Sequence, residues 1–226
     1  MSEDENSIKI ILVGETGTGK SNLINVCCNL QFNPNSPSNI SCSSLEKKII
    51  INNIQYTIKL WDTAGQEKFR SLNNLFIKDA KICIFVYDNT DRKTFEDLNF
   101  WVKTVDELLG KEPILGIVAN KSDLILKEKV QESEGKEYAK KIGASFYKTS
   151  AKEDKVGFSN YINKLVEEYL TKNNLIGWEF YSKDNIDNNV SNKISLNNSS
   201  KNNKKKSKNK NKNKKKDEEN LCYISY

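Results

Sequence analysis

The 226-residue chain predicts an α/β domain built on a mainly parallel sheet with helices on both faces. Apolar runs of strand length alternate with longer amphipathic segments, the pattern of strands joined by crossover helices. The run Ile8 to Val13 leads directly into Gly14-Glu15-Thr16-Gly17-Thr18-Gly19-Lys20-Ser21, which reads as a strand, a tight glycine loop and the start of a helix. Near the end of the patterned region, Phe158, Tyr161, Ile162, Leu165, Val166 and Tyr169 recur at intervals of three and four. That spacing makes one apolar helix stripe for packing on a sheet.

Taken in order, the first element is the strand Ile8 to Val13 and its loop of the form G-x-x-x-x-G-K-S. The glycines let successive backbone N–H groups converge on a polyphosphate, and the following helix adds its positive N-terminal dipole. Lys20 can reach the outer phosphates, and Ser21 is placed to put its hydroxyl on Mg²⁺. Next, Leu45 to Ile51 and Ile54 to Leu60 are separated only by Asn52-Asn53. Two residues allow a hairpin and asparagine tolerates positive φ, so this pair is expected to be antiparallel. The run Ile54 to Trp61 ends in Asp62-Thr63-Ala64-Gly65-Gln66, which sets a carboxylate at a strand end where it can hold a metal.

Thr94 to Leu109 predicts a helix after Asp91, and Pro113 ends the loop that follows. Ile114 to Ala119 is a strand of the fully buried kind and runs into Asn120-Lys121-Ser122-Asp123. The Asp123 carboxylate can accept two hydrogen bonds from a guanine's N1–H and exocyclic amine. Adenine offers no such pair of donors and would leave a buried charge unpaired. Ala144 to Thr149 forms a further strand ahead of Ser150-Ala151-Lys152. In a sheet of this kind ligands bind outside the strands' carboxyl ends, where all four segments fall.

With these four segments in this order, residues 7 to 171 resemble the Ras superfamily of small GTPases, and within it the Rab branch. Thr57-Ile58-Lys59-Leu60-Trp61, Lys68-Phe69-Arg70-Ser71-Leu72 and Val86-Tyr87-Asp88-Asn89-Thr90-Asp91 with Thr94-Phe95 are similar to Rab segments. The resemblance implies a P-loop NTPase small G domain: a mainly parallel six-stranded sheet with one antiparallel edge strand. It implies GTP or GDP with Mg²⁺ as ligands. The loop from Gly14 to Ser21, with Asn22, would hold the phosphates; Asn120, Lys121, Asp123, Ser150, Ala151 and Lys152 would hold the base, with Phe32 stacked beside it. Ser21 and Asp62 would serve the metal, Gly65 would give an N–H to the γ-phosphate, and Gln66 would orient the attacking water. The loop carries no arginine, so slow turnover is expected until an activating protein supplies one. Two switch segments are expected near residues 34 to 44 and 63 to 76, read by an exchange factor and effectors.

Composition divides the chain in the same place. Residues 1–200 hold 26 Lys and Arg against 27 Asp and Glu, whereas residues 201–226 hold 10 Lys against 3 acids, so the net charge of +6 belongs to the tail. We read residues 1–6 as a short acidic extension, 7–171 as the G domain and 172–226 as an Asn/Lys-rich tail. Residues 184–220 hold too few apolar groups to offset the entropy of ordering. Selection and the codon bias of an A/T-rich genome are alternative origins of the asparagines. The absence of histidine excludes histidine-based acid–base or metal chemistry. Five cysteines, Cys27, Cys28, Cys42, Cys83 and Cys222, show no C-x-x-C spacing, and a reduced intracellular protein is the simpler expectation. No run approaches the ~20 apolar residues that span a bilayer, and the N-terminus has no signal-peptide pattern. Any membrane contact must then come from a surface anchor or a partner; with the lysine tail, the resemblance implies a cytoplasmic protein attached peripherally to the cytosolic face of membranes.

Two departures from the resembled pattern stand out. Ser38-Asn39-Ile40-Ser41-Cys42-Ser43-Ser44 falls where Rabs carry Ser-Thr-Ile-Gly-Val-Asp-Phe, so Asn39 replaces the threonine that ligates Mg²⁺. Its amide oxygen is still a hard donor, but the side chain is longer and flatter. The first switch is therefore expected to close less firmly on GTP, with a nucleotide-binding scaffold of weak hydrolysis as the alternative function. Ser44 replaces an aromatic of the effector surface formed with Trp61, while Pro34 and Pro37 limit the loop's freedom. At the other end, Cys222 is followed by Tyr223-Ile224-Ser225-Tyr226, one residue too many for C-a-a-X, and lipidation of Cys222 stays open. The lysines 204 to 216 suit an anionic membrane surface. Without arginines or aromatics for base contacts, nucleic acid ranks behind it.

Overall fold

A computed structural model describes residues 7–34, 43–63 and 75–175. Asn39, Gly65, Gln66 and Cys222, most of both switch segments and the tail beyond residue 175 lie outside the described residues. The strands are β1 (Ser7–Val13), β2 (Ser43–Ile51), β3 (Ile54–Asp62), β4 (Ile82–Asp88), β5 (Ile114–Asn120) and β6 (Ser145–Lys148). The helices are α1 (Lys20–Cys27), α2 (Arg92–Glu96), α3 (Leu98–Leu109), α4 (Glu132–Ile142) and α5 (Gly157–Lys172). The strands form one six-stranded sheet in the order β2-β3-β1-β4-β5-β6. Only the β2–β3 pair is antiparallel.

The sheet buries both faces, which is why its central strands read as apolar runs without alternation. All seven residues of β4 are buried. One face, with Ile10, Leu12, Ile58 and Ile84, packs in a cluster with Leu23 of α1 and Ile162 and Leu165 of α5. The other, with Ile11, Phe85 and Tyr87, packs with Leu98 and Trp101 of α3 and Ala139 of α4. At the hairpin, Ile51 faces Ile54, and Asn52 and Asn53 have φ of 50° and 62°. A two-residue turn between right-twisted strands requires positive φ at both positions.

Two elements differ in detail from the sequence reading. The helix expected over Thr94–Leu109 starts at Arg92, where Asp91 caps it by accepting the Lys93 N–H, and it breaks at Asp97. The Asn99 side chain donates to the Glu96 carbonyl at 3.0 Å, while the Phe100 N–H turns to the Asp97 carbonyl. A side-chain donor has replaced the helical one. In α5, Leu170 is buried, whereas Tyr169 packs only partly against the core.

The topology brings four strand ends together. The loop 14–19 follows β1, Asp62 ends β3, Asn120 ends β5, and Thr149 to Lys152 follow β6. Gly14 shows how tightly: its φ is +146°, and a Cβ there would fall on the Val86 carbonyl oxygen of β4.

Candidate nucleotide site

A cavity of about 620 Å³ opens where these strand ends meet, a size suited to a small-molecule ligand. One end is cationic. Lys20 begins α1 and is 6% exposed, its Nζ donating to the carbonyls of Gly14 at 2.8 Å and Glu15 at 2.9 Å. Those bonds hold the ammonium over the loop. Gly17 and Gly19, at φ of +78° and +93°, give the loop its left-handed turns; a Cβ on Gly19 would meet the Asn120 amide. Thr16, Gly17, Gly19 and Lys20 line the cavity. Gly14, Glu15 and Thr18 shape the loop from behind: Thr18 is fully buried and its hydroxyl donates to the Glu15 carbonyl. The Glu15 carboxylate accepts the Trp101 indole N–H of α3 at 3.3 Å.

Next to Lys20, the Ser21 hydroxyl donates to Asp62 Oδ2 at 2.6 Å. Two hard oxygen donors in contact on the cavity wall, beside a lysine suited to phosphate, fit a Mg²⁺–polyphosphate pair. Ser21 and Asp62 would hold the ion there. Asn22 both donates to and accepts from the backbone of Asn33 at 2.9 Å. It thereby fixes the segment that carries Phe32 and Pro34 to the cavity rim. Phe32 is half-buried and also packs against the core.

The opposite end is built from β5 and β6. Asn120, 2% exposed, bridges three segments: its Nδ2 donates to the Thr18 carbonyl at 2.7 Å and its Oδ1 accepts the Ala151 N–H at 3.0 Å. Lys121, in the left-handed region at φ 64°, pairs with Asp88 at 2.6 Å. Asp123 accepts the Ser150 hydroxyl at 2.6 Å, and Asp123, Ser150, Ala151 and Lys152 line this end. Sequence reasoning missed Thr63 and Leu124 in the lining, and Asp88 as the partner of Lys121. Asp88 gives the same signal as Asp62, a carboxylate on the last residue of a buried strand.

Burial pushes the Lys20 ammonium down to about 8, against the raising influence of Asp62 and Glu15. Between pH 8 and the ordinary lysine value of 10.5, the unfolded chain therefore binds a proton that the ligand-free folded chain does not. Stability of the nucleotide-free, Mg²⁺-free protein from this residue is expected to rise with pH, by about 2 kcal/mol from pH 8 to 9.5. Urea unfolding of the protein and of Lys20→Met at both pH values checks this. The difference between the two should shrink if polyphosphate is bound, because phosphate favours the charged lysine.

A glycine loop before a helix, a Ser–Asp pair at a strand end and a carboxylate on a base-sized cavity define a P-loop nucleotide-binding domain. The Ras family model matches residues 9–171. The Ras-related protein Rab-21 of Mus musculus is 39% identical over 149 residues, spanning 66% of this chain and 67% of that protein. Rab-2B of Dictyostelium discoideum is 37% identical, spanning 74% of this chain and 83% of its own. For SEC4 of Saccharomyces cerevisiae the values are 37%, 75% and 80%. The chain belongs to the Ras family, as a Rab-like small GTPase that binds guanine nucleotide and hydrolyses GTP.

Proposed function

We propose that the protein is a slow, Mg²⁺-dependent GTP switch acting in intracellular vesicle traffic. The observation that carries this reading is the convergence of Lys20, the Ser21–Asp62 pair and Asp123 on one cavity. Lys20 and the N–H groups of residues 14–19 bind the β and γ phosphates, and Asp123 receives the guanine's N1–H and amine. Ser21 and Asp62 would hold Mg²⁺, which would supply neutralisation of charge on the phosphate oxygens. Gln66 orients a water in line with the γ-phosphorus. The water oxygen bonds to phosphorus as the bond to the β–γ bridging oxygen breaks, leaving GDP and inorganic phosphate. Gly65 contributes an N–H to the γ-phosphate, so loss of that group releases the second switch. An activating protein adds an arginine and roughly 10³ to 10⁵ in rate; an exchange factor and effectors complete the cycle.

Gln66→Leu tests the chemical step. Single-turnover GTP cleavage is expected to fall at least tenfold with GDP affinity unchanged, since the side chain acts on water and not on bound nucleotide. Equal cleavage in the variant contradicts the assignment.

Asn39 favours the second reading, a nucleotide-holding scaffold. On this second reading, with closure impaired by Asn39, hydrogen exchange over residues 34–44 differs little between GTP-analogue and GDP states, and Asn39→Thr enlarges the difference. A large difference in the natural sequence removes the argument for impaired closure.

For localisation we propose peripheral attachment to the cytosolic face of membranes through the lysine tail. A prenyl chain on Cys222 would add a second signal. Among the described residues no helix is long and apolar enough to cross a membrane. Mass spectrometry of the protein from its native cell tests the lipid, and an unmodified Cys222 ends that part of the proposal.

A further inference from the structure

Asp154 lies just beyond the Ser150-Ala151-Lys152 turn and gathers donors from three directions. Its Oδ2 accepts the Tyr147 hydroxyl at 2.8 Å and the Thr149 hydroxyl at 2.6 Å. Its Oδ1 accepts the Gly157 N–H, the first residue of α5, at 2.6 Å. The Asp154 N–H in turn donates to the Ser150 carbonyl at 2.8 Å. Burial alone would raise this carboxyl, but the bonds from Thr149, Tyr147 and Gly157 outweigh it and hold the group below its ordinary value.

The surroundings are shaped for this meeting. A Cβ on Gly157 would collide with the Tyr147 hydroxyl and both Asp154 oxygens, although the backbone there is an ordinary helix start. Tyr147 itself is fixed by stacking on Tyr161 of α5, with ring centroids 4.9 Å apart and planes at 12°. On the other side, Thr149 is 2% exposed. Its backbone bonds to Ala119 of β5 and accepts the Ser122 N–H, and the next residue, Ser150, donates to Asp123.

We propose that Asp154 is a positioning residue for guanine selection: through Thr149 and Ser150 it fixes the Asp123 carboxylate that receives the base. This deepens the nucleotide reading and rests on it. Asp154 touches no ligand in this account. A carboxylate that accepts two donors from one base edge must be held in a single plane, and the network supplies the hydroxyl that sets that plane.

The test compares GDP with IDP, which lacks the exocyclic amine, on the full chain with Mg²⁺. In Asp154→Ala, the ratio of GDP to IDP affinity is expected to fall about tenfold, with faster GDP release. Tyr147→Phe removes one donor of three and is expected to shift the ratio in the same direction by less; it keeps the test open if the alanine variant fails to fold. Thermal unfolding is measured alongside. Lowered stability with an unchanged GDP to IDP ratio in both variants would give Asp154 a purely structural role and overturn the inference. A wild-type ratio near one would overturn the guanine reading, and the inference with it.

Discussion

Asp123→Asn is expected to abolish the preference for guanine and replace it with one for xanthine. On the proposed reading the Asp123 carboxylate would offer only acceptors to the base edge, and guanine offers N1–H and an amine. An asparagine places an amide donor against that amine, leaving one polar pair donor to donor within the cavity. Xanthine carries a carbonyl in place of the amine and matches the new donor. Sites built around a specific hydrogen-bond pattern discriminate by ~10⁴, so the ratio of GDP to XDP affinity should fall on that order. The Ser150 hydroxyl that bonds Asp123 can donate equally to the amide oxygen, which leaves the fold intact. Competition of the two diphosphates for the purified variant measures the ratio, and retention of guanine preference would place the base elsewhere.

Asn120→Ala is expected to destabilise the protein by about 2 to 6 kcal/mol and to accelerate nucleotide release by roughly 10². The side chain serves two buried partners, the Thr18 carbonyl and the Ala151 N–H, in residues largely withdrawn from solvent: Thr18 is 0% and Ala151 5% exposed. Truncation strands both groups, each at about 1 to 3 kcal/mol. It also cuts the tie between the phosphate loop and the base-side turn, so each can open without the other. Denaturant unfolding gives the first quantity and release of a fluorescent GDP analogue the second. A stable variant with fast release would assign Asn120 to the ligand more than to the frame.

Much of this was legible in the sequence because it depends on local spacing. The glycine loop, the two-asparagine hairpin and the carboxylates at strand ends are each set by a few neighbouring residues. Their positions at the strands' carboxyl ends follow from one parallel sheet. The division of labour within the motifs was not legible. Asn120 reads as a base contact by its place beside Asp123, yet both ends of its amide are engaged within the protein. That result depends on Thr18 and Ala151, 102 and 31 residues away. Asn22 likewise holds Asn33, 11 residues on, which no periodicity announces. The break at Asp97 is hidden for the opposite reason: the apolar spacing continues through it, and the Asn99 side chain competes with the helix.

Guanine nucleotide held in this cavity and GTP cleaved there is the reading on which the rest stands. Nucleotide released from the purified protein and separated by chromatography, followed by one round of cleavage of γ-labelled GTP with Mg²⁺, tests it most directly. Bound GDP or GTP is expected, with slow cleavage that disappears when Mg²⁺ is chelated. Bound adenine nucleotide would contradict the role given to Asp123, and guanine nucleotide without cleavage, even with activating proteins present, would contradict the switch.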